Sequence, residues 1–276
     1  MSKKQKRTEK FLAAMTYGAF IFTFSVLVFI IAFILFKGVP HLKPSLFSLK
    51  YTSENVSLMP ALISTLIMTA ISIAISVPLG VFSAIYLVEY AKRGNKVVNL
   101  IRLTTETLSG IPSIIYGLFG LLFFVTYLGW GFSVLAGSFT LSIMILPLII
   151  RSSEEALKAV PDSYREGSFG LGAGKLRTVF RVVLPAAIPG IFAGIILAVG
   201  RIVGETAALI YTAGTVAQVP KDLLQSARTL SVHMFALSSE GLHTGEAYAT
   251  AVVLLILVVV INTVSAMVAK RIGGKA

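Results

Sequence analysis

Six long runs of apolar residues leave this chain very few folds to adopt. A helix needs roughly 20 consecutive apolar residues to cross the hydrocarbon core of a bilayer. Hydrophobic residues make up 56% of the 276 residues and charged residues only 13%, a composition that requires lipid as the solvent. The sequence therefore predicts an all-α membrane protein with six transmembrane helices. The predicted spans are residues 11–36, 60–88, 108–128, 132–150, 186–211 and 249–269.

Basic residues are distributed unevenly between the loops that join these runs. One set of alternate loops, together with both chain termini, carries most of the 24 lysines and arginines. Cytoplasmic loops of membrane proteins are enriched in these residues. The bias therefore predicts a multi-pass membrane protein with both termini in the cytoplasm. The formal net charge of +12 then reflects topology in a lipid bilayer, and we predict no nucleic-acid partner.

Residues 1–276 are predicted to form a single transmembrane domain, because no internal repeat, low-complexity linker or second domain is apparent. Three of the loops are each more than 20 residues long. The charge bias assigns residues 151–185 to the cytoplasmic side and residues 37–59 and 213–248 to the outer side. The last of these loops has a helix-like pattern, which either packs over the bundle as a lid or offers a docking surface.

The sequence offers no residues for metal or redox chemistry. It contains no cysteine, and its three histidines stand apart from one another, so we predict no disulfide, metal or cofactor. The glycine-rich segment 170–175 lacks the spacing of a phosphate-binding loop, since Phe169 replaces its first glycine and Leu176 its hydroxyl residue. We therefore predict that the chain does not bind or hydrolyse ATP and is not an enzyme.

The basic loop 151–185 has the pattern of a docking element. A proline followed by two capping residues predicts that a helix starts near Tyr164. Glu166 lies in this helix, and the small residues Gly167 and Ser168 after it let the helix sit close to another surface. The alternative is a helical hairpin that only covers the ends of the transmembrane bundle.

Two charged residues lie inside the fifth apolar run. A full charge at that depth costs at least about 2.5 to 3.5 kcal/mol, so Arg201 and Glu205 need a partner or an aqueous path. They are four residues apart, hence on one face of a continuous helix, and are predicted to pair. The same face carries Gly190, Gly194 and Ala198, which either permit close helix packing or leave open space.

Two functions of this charged pair stay open on the sequence alone. The pair either holds two helices together as a buried ion pair, or Arg201 offers its guanidinium fork to a passing oxyanion while Glu205 orients the fork. The two functions are compatible, because a pair that breaks and re-forms during opening serves both.

The basic loop resembles the EAA loop of ATP-binding-cassette (ABC) import permeases. In that loop, Glu-Ala-Ala is followed at fixed spacing by Gly and then by Ile-x-Leu-Pro. Glu166, Gly172, Leu184 and Pro185 match this pattern, and the small residues at 167 and 168 stand in place of the alanines. The resemblance implies that the loop forms a short cytoplasmic coupling helix, which lies against a separate ATPase.

A more specific resemblance involves two segments, Gly-Ile-Pro-Ser-Ile-Ile-Tyr-Gly-Leu-Phe-Gly at 110–120 and Gly-Arg-Ile-Val-Gly-Glu-Thr at 200–206. Both are similar to segments of phosphate-import permeases, and the whole chain is most similar to the PstA-type subunit. The resemblance implies the six-helix, MetI-like fold of type I ABC importers. It also implies a substrate pathway that includes Arg201, Glu205 and Thr206, with Glu106 as a further candidate.

The same resemblance implies a location in a bacterial or archaeal cytoplasmic membrane and a set of partners. They are a homologous PstC-type permease, a dimer of cytoplasmic ATPase subunits and an extracytoplasmic phosphate-binding protein. In this assembly the chain conducts inorganic phosphate into the cytoplasm while its partners hydrolyse ATP. The alternatives are a permease of an ABC importer for another oxyanion or small solute, and a secondary transporter that works without ATP.

Overall fold

The computed structural model describes residues 3–92 and 94–273, and every regular element in these ranges is helical. Three π-helical segments, Tyr86–Tyr90, Leu121–Tyr127 and Val179–Val183, extend or join longer helices. The all-α prediction is confirmed. Arg93, one of the residues behind the charge bias, lies outside the described residues. The helices are α1 (Lys3–Gly38), α2 (Met59–Ile85), α3 (Lys96–Ser109), α4 (Ser113–Gly120), α5 (Val134–Lys158), α6 (Asp162–Gly170), α7 (Lys175–Thr178), α8 (Leu184–Val203), α9 (Ala207–Ile210), α10 (Leu230–Glu240) and α11 (Thr244–Gly273).

Five continuous helical stretches of the described chain are long and apolar enough to cross a membrane by themselves. Each contains all or most of one predicted span. The fifth predicted span, 186–211, is too long at its end, because α8 stops at Val203. The five stretches are Glu9–His41, Met59–Tyr90, Val134–Lys158, Lys175–Val203 and Thr244–Val268.

The predicted span 108–128 is wrong in its first part. Helix α3 ends at Ser109, α4 begins at Ser113, and the two helices are bent by 101° to one another. Pro112 causes the break, because a proline restricts the residue before it to extended conformations. Only α4 and the π-helical segment after it follow the predicted span, and a sixth crossing exists if the bent pair counts as one.

The centre of the bundle is formed by α2, α5 and α8, with α5 in the middle. The contact between α2 and α5 is lined by buried hydroxyl side chains as well as apolar ones. The Ser72 hydroxyl donates to the Ser138 carbonyl at 3.1 Å, and the Ser142 hydroxyl donates to the same carbonyl at 2.7 Å. Small polar residues of this kind let transmembrane helices approach closely and bond to each other.

The small-residue face of α8 packs directly against α5. A Cβ atom added at Gly190 would lie 2.7 Å from the Cβ of Ala156, and one added at Gly194 would overlap Ser152. Ala198, the next small residue on this face, is fully buried. Of the two possibilities that the sequence left open, the glycines therefore serve close helix packing.

This close packing predicts a position-specific effect of adding one methyl group. Gly194→Ala should destabilise the protein, because overpacking costs about 1–3 kcal/mol and exceeds the gain of about 1 kcal/mol in helix propensity. Gly200→Ala is the matched control, since a Cβ there meets nothing within 4 Å. We expect Gly194→Ala alone to lower the thermal unfolding midpoint of the purified protein. Equal midpoints for the two variants would contradict this packing.

Two short helices mark opposite ends of the bundle. Helix α6 lies beside the end of α2, where Arg165 contacts Glu89. Helix α10 lies beside the start of α2, where the backbone N–H of Leu230 donates to the Thr65 hydroxyl at 2.9 Å. The loops 37–59 and 213–248 therefore gather at the α10 end, and the loop 151–185 gathers at the α6 end.

A buried aromatic and basic cluster lies beside α10. The guanidinium carbon of Arg228 lies 4.7 Å from the centre of the Tyr51 ring, and the His233 ring meets that same tyrosine edge-on. Burial and, to a smaller extent, the nearby Arg228 cation together lower the pKa of His233 from 6.5 to about 3, although an interaction with the Val56 backbone acts in the opposite direction. His233 is therefore neutral at physiological pH and acts here as a packing residue.

Candidate functional site

The fifth transmembrane helix is interrupted within its apolar run. Helix α8 ends at Val203, Gly204 follows it, and the short helix α9 begins only at Ala207. Arg201 lies in the last turn of α8, while Glu205 and Thr206 lie in the break. Irregular backbone at membrane depth is tolerated where protein groups satisfy its hydrogen bonds or where it lines a cavity. The predicted site residues therefore lie at a discontinuity of the helix.

Glu205 provides a hydrogen-bond acceptor for a backbone N–H group at this break. Its side-chain Oε1 accepts a hydrogen bond from the backbone N–H of Ala208 at 3.0 Å, and only 8% of the residue is exposed. Its own carbonyl accepts a hydrogen bond from the Ser231 hydroxyl of α10. The carboxylate thus caps α9, and α10 is tied to the break.

The predicted pair between Arg201 and Glu205 is not formed. A spacing of four residues brings two side chains together only if the helix continues between them, and α8 ends before Glu205. In the described part of the chain, the ion pairs within 4 Å include neither residue. The Glu205 carboxylate, predicted to pair with Arg201, instead accepts a hydrogen bond from the Ala208 amide.

Arg201 is half-buried. The short helix α9 that follows it packs closely against α4, since a Cβ atom added at Gly117 would lie 2.8 Å from the Cα of Ala208. Tyr116 belongs to α4, and its hydroxyl donates to the Leu108 carbonyl of α3 at 2.8 Å. Arg201 therefore lies near the bend between α3 and α4. A half-buried guanidinium without a carboxylate partner is suited to bind an anion through its N–H fork.

Thr206 lines a large apolar cleft. The cleft has a volume of about 800 Å³ and lies between α4, α9, α10, α11 and the end of α1. The Thr206 hydroxyl has one long hydrogen bond of 3.5 Å, to the Gly204 carbonyl. The residue lies in the break with Glu205 and close in sequence to Arg201, and it faces an apolar space.

Glu106 lies apart from this group. It is an exposed residue of α3 and lines a cavity of about 180 Å³ between α3 and the end of α5. The cavity is lined by charged side chains of both helices, and no ion pair within 4 Å joins Glu106 to Arg201 among the residues described. The structure therefore does not bring Glu106 together with the three residues at the break.

A buried ion pair beside Glu106 escaped prediction. Glu154 is 7% exposed, and its Oε1 lies 2.7 Å from the Nε of Arg102 and 2.6 Å from the Nζ of Lys158. The spacing of four residues between Glu154 and Lys158 indicates their contact on a helix. The partner in α3 could not be found in this way, because the contact depends on how the helices pack.

The predicted docking loop forms two helices and a turn. Glu166, Gly167 and Ser168 lie in α6, as predicted, with the first two exposed. Gly172 follows α6 with a φ of +81°, a left-handed conformation that favours glycine. Leu184 and Pro185 lie in the helical continuation from α7 into α8, so the transmembrane helix starts earlier than residue 186.

The surface of this loop is unusually apolar for the end of a bundle. Leu171 is 91% exposed, and three other large apolar side chains of the loop are each about half exposed or more. Isolated apolar residues on a surface are normal, whereas a group of them marks an interaction surface. The exposed group consists of Tyr164, Phe169, Leu171 and Leu176.

The bundle with its interrupted helix and its exposed helical loop defines an integral membrane permease. A family described as "Binding-protein-dependent transport system inner membrane component" matches residues 76–274. The match covers well over half of the chain, so the chain belongs to this family. It contains both the break around Arg201 and the loop with α6.

Several relatives within this family have more specific names. "Probable ABC transporter permease protein YqgI" of Bacillus subtilis (strain 168) is 39% identical over 199 residues, which cover 66% of this chain and 67% of the relative. "Phosphate transport system permease protein PstA 1" of Mycobacterium tuberculosis (strain ATCC 25618 / H37Rv) is 34% identical over 192 residues, with 68% and 62% covered. The chain thus spans about two thirds of the length of these relatives. The predicted resemblance to PstA-type permeases is confirmed.

Solved structures agree with the fold. A chain of the inward-facing MetNI methionine ABC transporter matches 78% of this chain and 94% of its own length, with a TM-score of 0.60 and 21% identity. A chain of a bacterial ABC transporter involved in the import of alginate matches 97% and 98%, with a TM-score of 0.65 and 16% identity. Identities this low show the fold alone, and that fold is the predicted type I importer permease.

Proposed function

We propose that this chain is the permease subunit of an ATP-driven importer that moves inorganic phosphate into the cytoplasm. The observation that carries the proposal is the half-buried Arg201 at the break of α8, which no carboxylate within 4 Å neutralises in the described residues. A guanidinium fork matches the oxygens of a phosphate. The names of the PstA relatives support phosphate as the anion.

The proposal assigns different tasks to the predicted site residues. Arg201 binds the passing anion, Glu205 keeps the break in shape through its bond to Ala208, and Thr206 lies where the break meets the apolar cleft. Glu106 lies in the charged cavity beside α3, and we assign it to the exit of the pathway on the α6 side. No covalent chemistry takes place in this chain.

The loop around α6 is the surface that we assign to the ATPase. Its exposed apolar residues fit a docking role, and Gly172 gives the turn that presents α6. The basic residues near this end support a cytoplasmic position for it and for both termini. ATP is then hydrolysed by a separate dimer of ATPase subunits, which pushes on Glu166 and its neighbours from the cytoplasmic side.

Two further partners complete the proposed assembly. A homologous PstC-type permease supplies the other half of the pathway, and the apolar length of α1, which is not buried within this chain, is free to contact it or lipid. A phosphate-binding protein delivers its ligand to the α10 end of the bundle. The family description, which names binding-protein-dependent transport, supports this arrangement.

The test is the ATPase activity of the complex purified with its co-expressed subunits and reconstituted in lipid. We expect loaded phosphate-binding protein to stimulate ATP hydrolysis several-fold and sulfate-exposed binding protein to have no effect. If a different oxyanion or solute stimulates ATP hydrolysis and phosphate does not, that solute is the substrate and phosphate is not. Uptake driven by an ion gradient after removal of the ATPase would contradict the proposal and favour a secondary transporter.

A further inference from the structure

Helix α6 is attached to the transmembrane bundle in an unusual way. None of its residues is buried, so apolar packing does not anchor it. Ser168 connects α6 to α7 by a hydrogen bond of 2.8 Å to the Thr178 hydroxyl. In the described part of the chain, every side-chain hydrogen bond from α6 to α2 or α5 comes from Arg165.

The contacts of Arg165 use all three of its guanidinium nitrogens. Nε and Nη2 donate to Oε1 of Glu89 at 3.1 and 2.7 Å. Nη2 also donates to the Leu157 carbonyl at 2.9 Å, and Nη1 donates to the Val160 carbonyl at 2.8 Å and to Asp162 at 3.2 Å. Only 14% of the Arg165 side chain and 9% of the Glu89 side chain are exposed, so solvent screens this pair weakly.

The partners of Arg165 belong to the two central helices. Glu89 lies in the π-helical segment that ends α2, Leu157 lies in the last turn of α5, and Val160 follows that turn. Helix α5 packs against both α2 and α8, and α8 carries Arg201. A displacement of α6 is thus passed first to α2 and α5 and then to the helix that ends at the proposed anion site.

We propose that Arg165 is the positioning residue through which movement of α6 reaches α2 and α5. This inference rests on the proposed function, in which α6 receives the ATPase. A cavity of about 420 Å³ adjoins the pair and is lined by Glu89, Lys158 and Arg165 among others. The Arg165 contacts therefore border an open space, into which α6 could move if these contacts were lost.

The first test compares conservative variants in the reconstituted complex. Arg165→Lys keeps the charge but cannot hold three partners in fixed geometry, and Glu89→Gln removes the charge of the acceptor. We expect each variant to assemble and hydrolyse ATP, while the phosphate transported per ATP falls at least tenfold. Because both act on one contact, the double variant should be no worse than the more affected single variant.

The control is Lys10→Arg, an exchange of basic side chains at an exposed residue of α1 outside the loop assigned to the ATPase, which should leave this ratio unchanged. If Arg165→Lys transports as much phosphate per ATP as the unaltered protein, the inference is wrong. Loss of assembly in Arg165→Lys and Glu89→Gln alike would also overturn it, in favour of a purely structural contact. Failure of the unaltered complex to respond to phosphate contradicts the proposed function instead, and the second test then decides the inference.

The second test needs no phosphate and uses the absence of cysteine from the chain. Spin labels on cysteines at Ser163 of α6 and Phe82 of α2, both exposed, report the distance between these helices in the complex. We expect one narrow distance distribution with and without ATP, and a clearly broader one in Arg165→Lys. Equally narrow distributions in both proteins would show that other contacts hold α6, and the inference would be wrong.

Discussion

Replacing Arg201 with alanine should reduce phosphate uptake by the assembled complex roughly a hundredfold or more. Loss of one partner from a desolvated, charge-assisted contact costs about 2–5 kcal/mol. Arg201→Lys should keep part of the activity, because an ammonium retains the charge but not the planar fork. The measurement is uptake of labelled phosphate into proteoliposomes at equal amounts of complex.

The structure also provides a comparison that separates an anion site from an ion-pair lock. Glu205 accepts from the Ala208 amide, and a glutamine oxygen can accept the same bond. Glu205→Gln should therefore lower uptake less than tenfold. If Arg201 and Glu205 instead acted as an ion-pair lock, Glu205→Gln and Arg201→Ala would lower uptake equally. Normal uptake in Arg201→Ala, at an unchanged level of assembled complex, would exclude the anion-binding role.

A second large effect is expected at the turn after α6. Gly172→Val should lower uptake at least tenfold, because a β-branched residue strongly disfavours a φ of +81°. A left-handed conformation costs roughly 1–2 kcal/mol for an L-residue, so the turn should shift to other conformations and α6 should leave its position. The ATPase subunits should then co-purify with the permease in smaller amounts.

Gly170→Val is the matched control for this substitution. Gly170 ends α6 without a positive φ, and a Cβ at either glycine meets nothing within 4 Å. The two variants therefore differ in backbone strain and not in crowding. Equal uptake and equal co-purification of the ATPase in both variants would contradict a role for the turn geometry.

Much of this architecture could be predicted because it depends on local properties of the sequence. The bilayer demands long apolar helices, and five of the six predicted spans correspond to continuous helical stretches of the described chain. The helix with Glu166 was also predictable, because a proline interrupts the chain directly before it. The predicted capping residues, Asp162 and Ser163, instead lie inside its first turn, and no side-chain hydrogen bond caps it. In both cases neighbouring residues alone decide the outcome.

The errors arise where distant parts of the chain compete for the same group. The spacing of Arg201 and Glu205 predicts a pair only on an unbroken helix, but the Ala208 amide binds the carboxylate and α10 holds the break through Ser231. The contact between Arg165 and Glu89 joins residues that are 76 positions apart. No periodicity in the sequence encodes such a contact, because it exists only once α2 and α6 are packed.

The cap that Glu205 forms has an electrostatic consequence for any anion that crosses the bilayer here. A free carboxylate so near Arg201 would repel an approaching dianion at the place where the guanidinium attracts it. The partial positive charge of the Ala208 N–H offsets some of that repulsion, because it lies 3.0 Å from the carboxylate oxygen. We therefore expect the arginine, and not the carboxylate, to dominate the field that a negative solute meets at the interruption of the helix.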